Sequence, residues 1–501
     1  MRSKKFFSFV LFLLGFGIFM FTRRSEIVPT IQIAILIAPI FILRFIRTQS
    51  AGKGIFLTLL GFLLSMNIAL WGLFDMGDVA KTIIVNLIRA SIIAILYFLP
   101  YMLDRLTYPK FKEKGILSTL TFPIITTAIF FLSSLEGPFD GAGMSSKFVY
   151  GPLIFKQSIS VFGIWIFVFI SSWLASIINY SWENKFDWKK IKKMALILLS
   201  IILIILLFGA FKTTSLITPK SDTVKIAAIV LIPEDGKVVS MERVFTNKLT
   251  FPFEKTISRI ENLTKEAASN NAKIITFQEY TMAINEKDKD RLVDQYKRIA
   301  KENNIYLSIT YAYFVKEGKG ENKHLFIDNN GDIQLDYSKR YLFGFGNIGE
   351  PNVFKKGAEV IQITDTPYGR IGISICRDMD FPSYIRQAGR KNVDIMLGPS
   401  YDFPKSLGPG YWLRTIESGF SFVRPTYNGI TFAADYNGNI LAQMDSDQTE
   451  DGIMYADVPT KGIKTLYPVI GDLLGWLSVL VLLGCIVFTI KNRKPKTKEQ
   501  S

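Results

Sequence analysis

The sequence predicts a multispan α-helical membrane part of about eight helices joined to one α/β domain, on three observations. First, 501 residues that are 49% hydrophobic and 14% aromatic, with positive mean hydropathy, are too apolar for an ordinary soluble protein. The chain nevertheless carries 43 acidic and 59 basic residues. Second, the two properties are segregated: Met1 to about Phe211 is mostly long apolar runs, about Ser221 to Thr465 has globular composition, and Leu466 to Ile490 is apolar again. Third, the central stretch mixes short β-branched runs with amphipathic ones, the pattern of a layered α/β fold.

Eight apolar runs are candidate spans: Phe6 to Phe21, Ile27 to Phe45, Ile55 to Leu73, Ile83 to Leu103, Ile116 to Leu135, Ile159 to Tyr180, Met194 to Phe211 and Pro468 to Ile490. Most approach the ~20 residues that a helix needs to cross the hydrocarbon core. The first reads as a span rather than a cleaved signal, because no small-residue cleavage site follows and Arg23 and Arg24 stop it. The expected division is a seven-helix membrane domain (1–215), a water-soluble domain (221–465), a last helix (466–490) and a basic tail (491–501).

Lys and Arg set the orientation, since cytoplasmic loops carry the excess. The N-terminus (Arg2, Lys4, Lys5) and the second (Arg44, Arg47, Lys53), fourth (Arg105, Lys110, Lys112, Lys114) and sixth loops (Lys185, Lys189, Lys190, Lys192, Lys193) are rich. So is the tail, with Lys491, Arg493, Lys494, Lys496 and Lys498, whereas Lys81 stands alone in the third loop. Both termini are therefore expected in the cytoplasm and the soluble domain outside the cell membrane. This placement accounts for most of the +16 net charge, so nucleic acid is not an expected partner. Cys376 lies in the soluble domain and Cys485 in the last span, which excludes a disulfide framework and leaves Cys376 a lone thiol.

Within the soluble domain Val224 to Leu231 reads as a strand, and Val244 to Asn270 carries a helix with Ile257, Ile260, Leu263 and Ala267 on one face. Lys273 to Phe277 is a strand that runs into Glu279, and Asp290 to Asn303 is a helix. Ile305 to Val315 and His324 to Asp328 are strands, and Asn329 to Gly331 makes a hairpin turn. Ile333 to Tyr337 leads into Lys339. Arg370 to Ile375 is a strand that delivers Cys376 to a corner before a helix from Ser383 to Arg390. Such corners expose a nucleophile and offer backbone N–H groups to an oxyanion.

Glu279, Lys339 and Cys376 thus fall just past predicted strand ends, where sites assemble in α/β folds. Their chemistry is complementary: a thiol attacks a carbonyl, a carboxylate takes and returns its proton, and an ammonium steadies the oxyanion. No metal and no cofactor is required. Read singly, Glu279 and Lys339 pass for surface residues and Cys376 for a buried structural thiol. His324, the only histidine, reads as a satisfied polar residue, which leaves little material for a Cys-His, Ser-His-Asp or His-rich metal site.

The order Glu279, Lys339, Cys376, set in Phe-Gln-Glu-Tyr, Tyr-Ser-Lys-Arg-Tyr-Leu-Phe and Ile-Ser-Ile-Cys-Arg-Asp-Met-Asp-Phe-Pro, resembles the nitrilase (carbon-nitrogen hydrolase) superfamily. With its spans and last helix, the chain resembles the membrane-bound apolipoprotein N-acyltransferase branch. Trp412 to Gly419, Arg424, Asn428 to Ile430 and Asp435 to Asn439 fit as well. The resemblance implies a nitrilase-like α-β-β-α sandwich with Glu279 as general base and acid, Lys339 at the oxyanion and Cys376 as nucleophile. It further implies a phospholipid acyl donor, a thioester on Cys376, and as acceptor the N-terminal amine of a diacylglyceryl-cysteine lipoprotein. Arg377 and Asp378 stand where that branch usually has Tyr-Glu. Asn347 stands where a second glutamate is usual, with Glu350 three residues on as its substitute. Glu350, Arg377 and Asp378 are therefore the expected supporting residues.

Two Gly- and aromatic-rich loops, Phe343 to Gly349 and Leu397 to Trp412, read as lids over the site or as ordinary connections. A membrane-tethered amidase would use the same three residues and let water resolve the thioester. A non-catalytic membrane scaffold is the reading from another class, and the intact triad speaks against it.

Overall fold

A computed structural model describes residues 2–23, 28–72, 78–135, 141–214, 221–232, 251–345, 348–402, 410–446 and 450–492. Arg24, Asn347, the basic residues from Arg493 on and residues 403–409 of the second lid loop lie outside the described residues.

Among the described residues seven helices are long and apolar enough to cross a membrane: Lys5–Thr22, Ala51–Ala69, Val79–Lys110, Ile116–Ser133, Trp165–Glu183, Trp188–Lys212 and Leu473–Lys491. They point to membrane association. The second expected span is a shorter helix, Ala34–Thr48, of 15 residues. Its far end is tied down by Arg47, whose guanidinium makes two 2.8 Å bonds to Asp104. The sixth expected span is broken at Gly163 (φ +63), which separates Ile159–Phe162 from Trp165–Glu183. The last is broken likewise at Gly471 (φ +63), between Tyr467–Ile470 and Leu473–Lys491. Phe16, Phe62, Tyr97, Phe122, Phe131 and Trp165 fill the shared core of the apolar helices.

The rest of the chain builds two stacked sheets. In chain order the strands are β1 Thr223–Val230, β2 Ile274–Phe277, β3 Met282–Asn285, β4 Tyr306–Phe314, β5 Glu321–Ile327, β6 Ile333–Ser338, β7 Gly344–Phe345, β8 Ile348–Gly349 and β9 Ile363–Thr366. There follow β10 Gly369–Ile373, β11 Ile395–Leu397, β12 Ser400–Tyr401, β13 Ser421–Arg424, β14 Thr426–Tyr427, β15 Ile430–Ala434, β16 Ile440–Asp445 and β17 Gly452–Pro459. The larger sheet has the order β17-β1-β2-β4-β5-β6, with β3 paired to β4, and the smaller has β16-β15-β13-β11-β10-β9. Short pairs join β7 to β8 and β12 to β14.

Strand alternation separates the faces. In β1, Ile226 and Ala228 join Ile371, Ile373 and Ile375 in the core between the sheets. Ala227 and Ile229 instead meet Ile257, Ile260, Tyr296 and Ile299 on helices Phe253–Ser269 and Lys289–Glu302. Helix Pro382–Arg390 packs on the smaller sheet through Ile385 and Ala388. The result is the α-β-β-α sandwich. His324 links the sheets from within: its ring nitrogens meet Ser308 Oγ (2.7 Å) and the Ser374 carbonyl (3.1 Å). Burial drives its pKa down to about 3, so it stays neutral as a structural bridge.

Helix Leu413–Ser418 docks this sandwich on the apolar helices, placing Leu413 and Ile416 in their core. Beside it Glu417 pairs with Arg414 and accepts a bond from the Ile164 N–H at 3.2 Å. Asp472 gathers Trp165 Nε1 (2.8 Å), Tyr467 Oη (2.5 Å) and Arg386 Nη1 (2.6 Å). One carboxylate thereby joins two long helices to the helix that follows Cys376.

Candidate active site

β2 and β6 of the larger sheet, with β4 and β5 between them, and β10 of the smaller sheet lead into Glu279, Lys339 and Cys376. The Lys339 ammonium lies 2.8 Å from Glu279 Oε1 and 2.9 Å from Glu350 Oε1. All three side chains are 2% exposed or less. Glu350, expected only as a substitute, therefore stands in direct contact with the pair. It also accepts from Tyr280 Oη, and its Oε2 accepts from the Phe343 N–H at 2.6 Å, which pins the first lid loop.

Cys376 reaches the carboxylate through Tyr401. The Tyr401 N–H donates to Glu279 Oε2 at 2.9 Å, and its carbonyl accepts from Cys376 Sγ at 3.4 Å. The backbone of Cys376 is left-handed (φ +46), as is that of Tyr280 (φ +57). For non-glycine residues this geometry costs of order 1–3 kcal/mol and persists only where surroundings enforce it. Here Asp378 enforces it: Oδ2 accepts from the Ile375 N–H (2.9 Å) and Tyr337 Oη (2.7 Å), and Oδ1 from the Tyr341 N–H (2.8 Å). Asp378 thus ties the cysteine turn to the strand end that carries Lys339. Arg377 turns away, donating to the Leu342 carbonyl at 2.8 Å and lying over the Phe381 ring.

Burial dominates the electrostatics. It pushes the Cys376 thiol well up, the Glu279 charge adds to this, and Lys339 pulls against it, so the thiol is protonated at rest. Burial also raises Glu279, with Lys339 opposing and Glu350 adding. For Lys339 burial acts downward, and the two carboxylates reverse it, so the ammonium is held charged. Asp378 is raised to about 6 by burial, against the bonds it accepts. A neutral thiol beside a carboxylate of raised basicity is the arrangement for general-base attack rather than for a standing thiolate.

Sequence reasoning missed Asn322, whose Nδ2 donates to Glu279 Oε1 at 2.8 Å, and the bridging part of Tyr401. The available signal was two polar residues, Asn322 and His324, on one face of a strand otherwise apolar toward its end. A small cleft, partly open to solvent, adjoins Glu279 and is lined by Leu231, Ile232, Phe251, Tyr280 and Tyr427 among others. Among the described residues no group of three or more His, Cys, Asp or Glu forms a metal cradle.

Two stacked sheets with a buried carboxylate, ammonium and thiol at one edge define a class, and residues 238–467 match the family model for carbon-nitrogen hydrolases. This part of the chain is a carbon-nitrogen hydrolase domain of the nitrilase superfamily. The chain is 34% identical over 140 residues to the deaminated glutathione amidase of Dictyostelium discoideum, covering 26% of this chain and 47% of that protein. It thus spans about half the length of that relative. It is 25% identical to a citrullinase of Francisella tularensis (40% of this chain, 82% of that protein). It is 30% identical to the apolipoprotein N-acyltransferase of Shewanella oneidensis (31% and 28%). Among solved structures it is similar to an amidase from Nesterenkonia sp., at 16% identity and TM-score 0.38, over 50% of this chain and 95% of that one.

Proposed function

We propose that this protein is a membrane-embedded N-acyltransferase that moves an acyl chain from a phospholipid, through a thioester on Cys376, to the N-terminal amine of a diacylglyceryl-cysteine lipoprotein. The observation that carries this reading is the contact between the apolar helices and the nucleophile segment. Gly141, which opens the short 3-10 helix Gly141–Gly143, packs so close to Asp380 that a Cβ there would lie 2.6 Å from its carbonyl oxygen. An amidase for soluble substrates has no use for such a junction, whereas an enzyme whose substrates are anchored in lipid needs one. In this reading 1–215 and 466–490 form the membrane domain, both termini are cytoplasmic, and domain 221–465 faces outward with the outer leaflet.

Cys376 Sγ attacks the ester carbonyl while Glu279 takes the thiol proton. The C–O bond breaks, and Glu279 returns the proton to the departing lysolipid alcohol. The acceptor amine then attacks the thioester, gives its proton to Glu279, and the sulfur leaves and is reprotonated. An ammonium has three donors, of which the carboxylates take two. The third, with the N–H that follows Cys376, serves the oxyanion. Glu350 and Asp378 hold Lys339 and the cysteine turn in place, and Arg377 braces the same turn. A tethered amidase is the second reading, favoured by the similarity to amidases, and it shares every step except the resolution of the thioester.

The deciding experiment incubates detergent-purified protein with mixed phospholipids and measures intact mass, with and without hydroxylamine, beside Cys376→Ser. A hydroxylamine-labile acyl increment that needs Cys376 is the expected result. An unmodified mass, under conditions where an added small amide is hydrolysed, refutes the transferase and leaves the amidase.

A further inference from the structure

We propose that Asn322 is a positioning residue for the reaction at Cys376: its side-chain amide, jointly with Lys339, holds the Glu279 carboxylate in the orientation and ionised state from which it takes the thiol proton. This rests on the reading above only in making Glu279 the base, and it holds for any acyl donor.

Asn322 is 1% exposed and lies near the start of β5. Its carbonyl accepts from the Lys339 N–H at 2.9 Å, while its Nδ2 lies 2.8 Å from Glu279 Oε1 and 3.4 Å from Glu350 Oε1. One residue thus fixes the backbone of the ammonium's residue and the side chain of its partner. The amide cannot be turned over, because Oδ1 would then face two carboxylates. In the orientation present, Oδ1 is buried and accepts from no group among the described residues. A buried acceptor without a partner is a standing cost that an apolar side chain of similar size would avoid. What offsets it is the donor side, which is spent on the carboxylates.

The charged and titratable groups around Glu279 are Lys339, Glu350, Tyr280, Cys376 and the Tyr401 phenol, with the Tyr401 N–H on its other oxygen. Glu350 presses Glu279 toward the protonated, inactive form, and Lys339 and Asn322 press it back. In the acylation step the Cys376 S–H proton passes to Glu279, the S–C bond forms, the bond to the leaving group breaks, and the proton follows the leaving group. A Glu279 that already carries a proton cannot begin that sequence.

The test uses the full-length protein in detergent and p-nitrophenyl butyrate as acyl donor, following the first-turnover nitrophenol burst from roughly pH 5 to 9, for wild type, Asn322→Ala and the near-isosteric Asn322→Asp. Loss of one bond to a charged acceptor is expected to slow acylation about tenfold on the acidic limb and move that limb up by about one pH unit. Asn322→Asp, which adds a third carboxylate, is expected to move it further. An unmoved limb, a rate loss equal at every pH, or failure of both variants to fold overturns the proposal and leaves Asn322 a packing residue. Wild type that is acylated by the ester and never by phospholipid refutes the lipid donor and leaves this inference standing. Wild type acylated by neither overturns both.

Discussion

Glu350→Gln is the perturbation with the most defined expectation. Glu279 and Glu350 each place one oxygen on the same ammonium, at 2.8 and 2.9 Å, so with a tetrahedral angle at nitrogen the two oxygens are about 4.7 Å apart. At an effective dielectric constant of about 20, like charges at that distance repel by roughly 3.5 kcal/mol, which favours the protonated form of Glu279. Neutralising Glu350 removes a term that raises Glu279. The acidic limb of Cys376 acylation should therefore move down. The plateau rate should fall at the same time, because the weaker base drives proton transfer less. Stability should fall as well. The Gln amide must present its NH₂ either to the Lys339 ammonium or to the Phe343 N–H, and a donor facing a donor costs ~1–3 kcal/mol. The assay is the burst phase against pH, beside the thermal midpoint of the detergent-solubilised chain. A limb that stays in place or moves up, in a folded variant, refutes the shared-ammonium account. That direction is opposite to the one expected for Asn322→Ala, so the two variants test one charge balance from both sides.

Three further outcomes are expected. Cys376→Ser should abolish the acyl mass increment while Cys485→Ser, in the last long helix, leaves it intact; a labile acyl group persisting in Cys376→Ser would place the nucleophile elsewhere. His324 is held neutral with its pKa near 3. The unfolded chain binds that proton and the folded chain does not, so its contribution falls as pH drops below about 6.5, by ~2 kcal/mol at pH 5. His324→Asn should flatten the acid limb of the thermal midpoint, and an unchanged limb would refute the assignment. Asp472→Asn strips Arg386 of its buried partner, which should cost ~3–5 kcal/mol and lower the thermal midpoint of the whole chain; an unshifted midpoint would show that the junction bears little of the stability.

Local chemistry placed the three candidate residues just past strand ends, and the family resemblance singled them out. Ile274–Phe277, Ile333–Ser338 and Gly369–Ile373 show in the sequence as short β-branched or alternating runs, and a polar residue just past each run stands out against them. The long apolar helices are legible for the same reason, since hydropathy over a helix length is a local quantity. The interruptions at Gly163 and Gly471 were not legible. Each glycine sits against a side chain remote in sequence, Tyr467 and Arg386 respectively, and hydropathy is blind to that.

What the sequence by itself determined is the division into apolar helices and an α/β domain, and the identity of the carboxylate, ammonium and thiol. What only the tertiary structure decided is which groups share the ammonium. Glu350 opens a four-residue helix, Glu350–Val353, and Asn322 lies at a strand start, and neither position has a pattern that marks it. Both become part of the site because the order β2-β4-β5-β6 brings hydrogen-bonded partners 11 to 60 positions apart to one edge of the sheet. Pairing across a sheet is set by burial of whole faces against a second sheet, a cooperative property of the chain that no window of neighbouring residues contains.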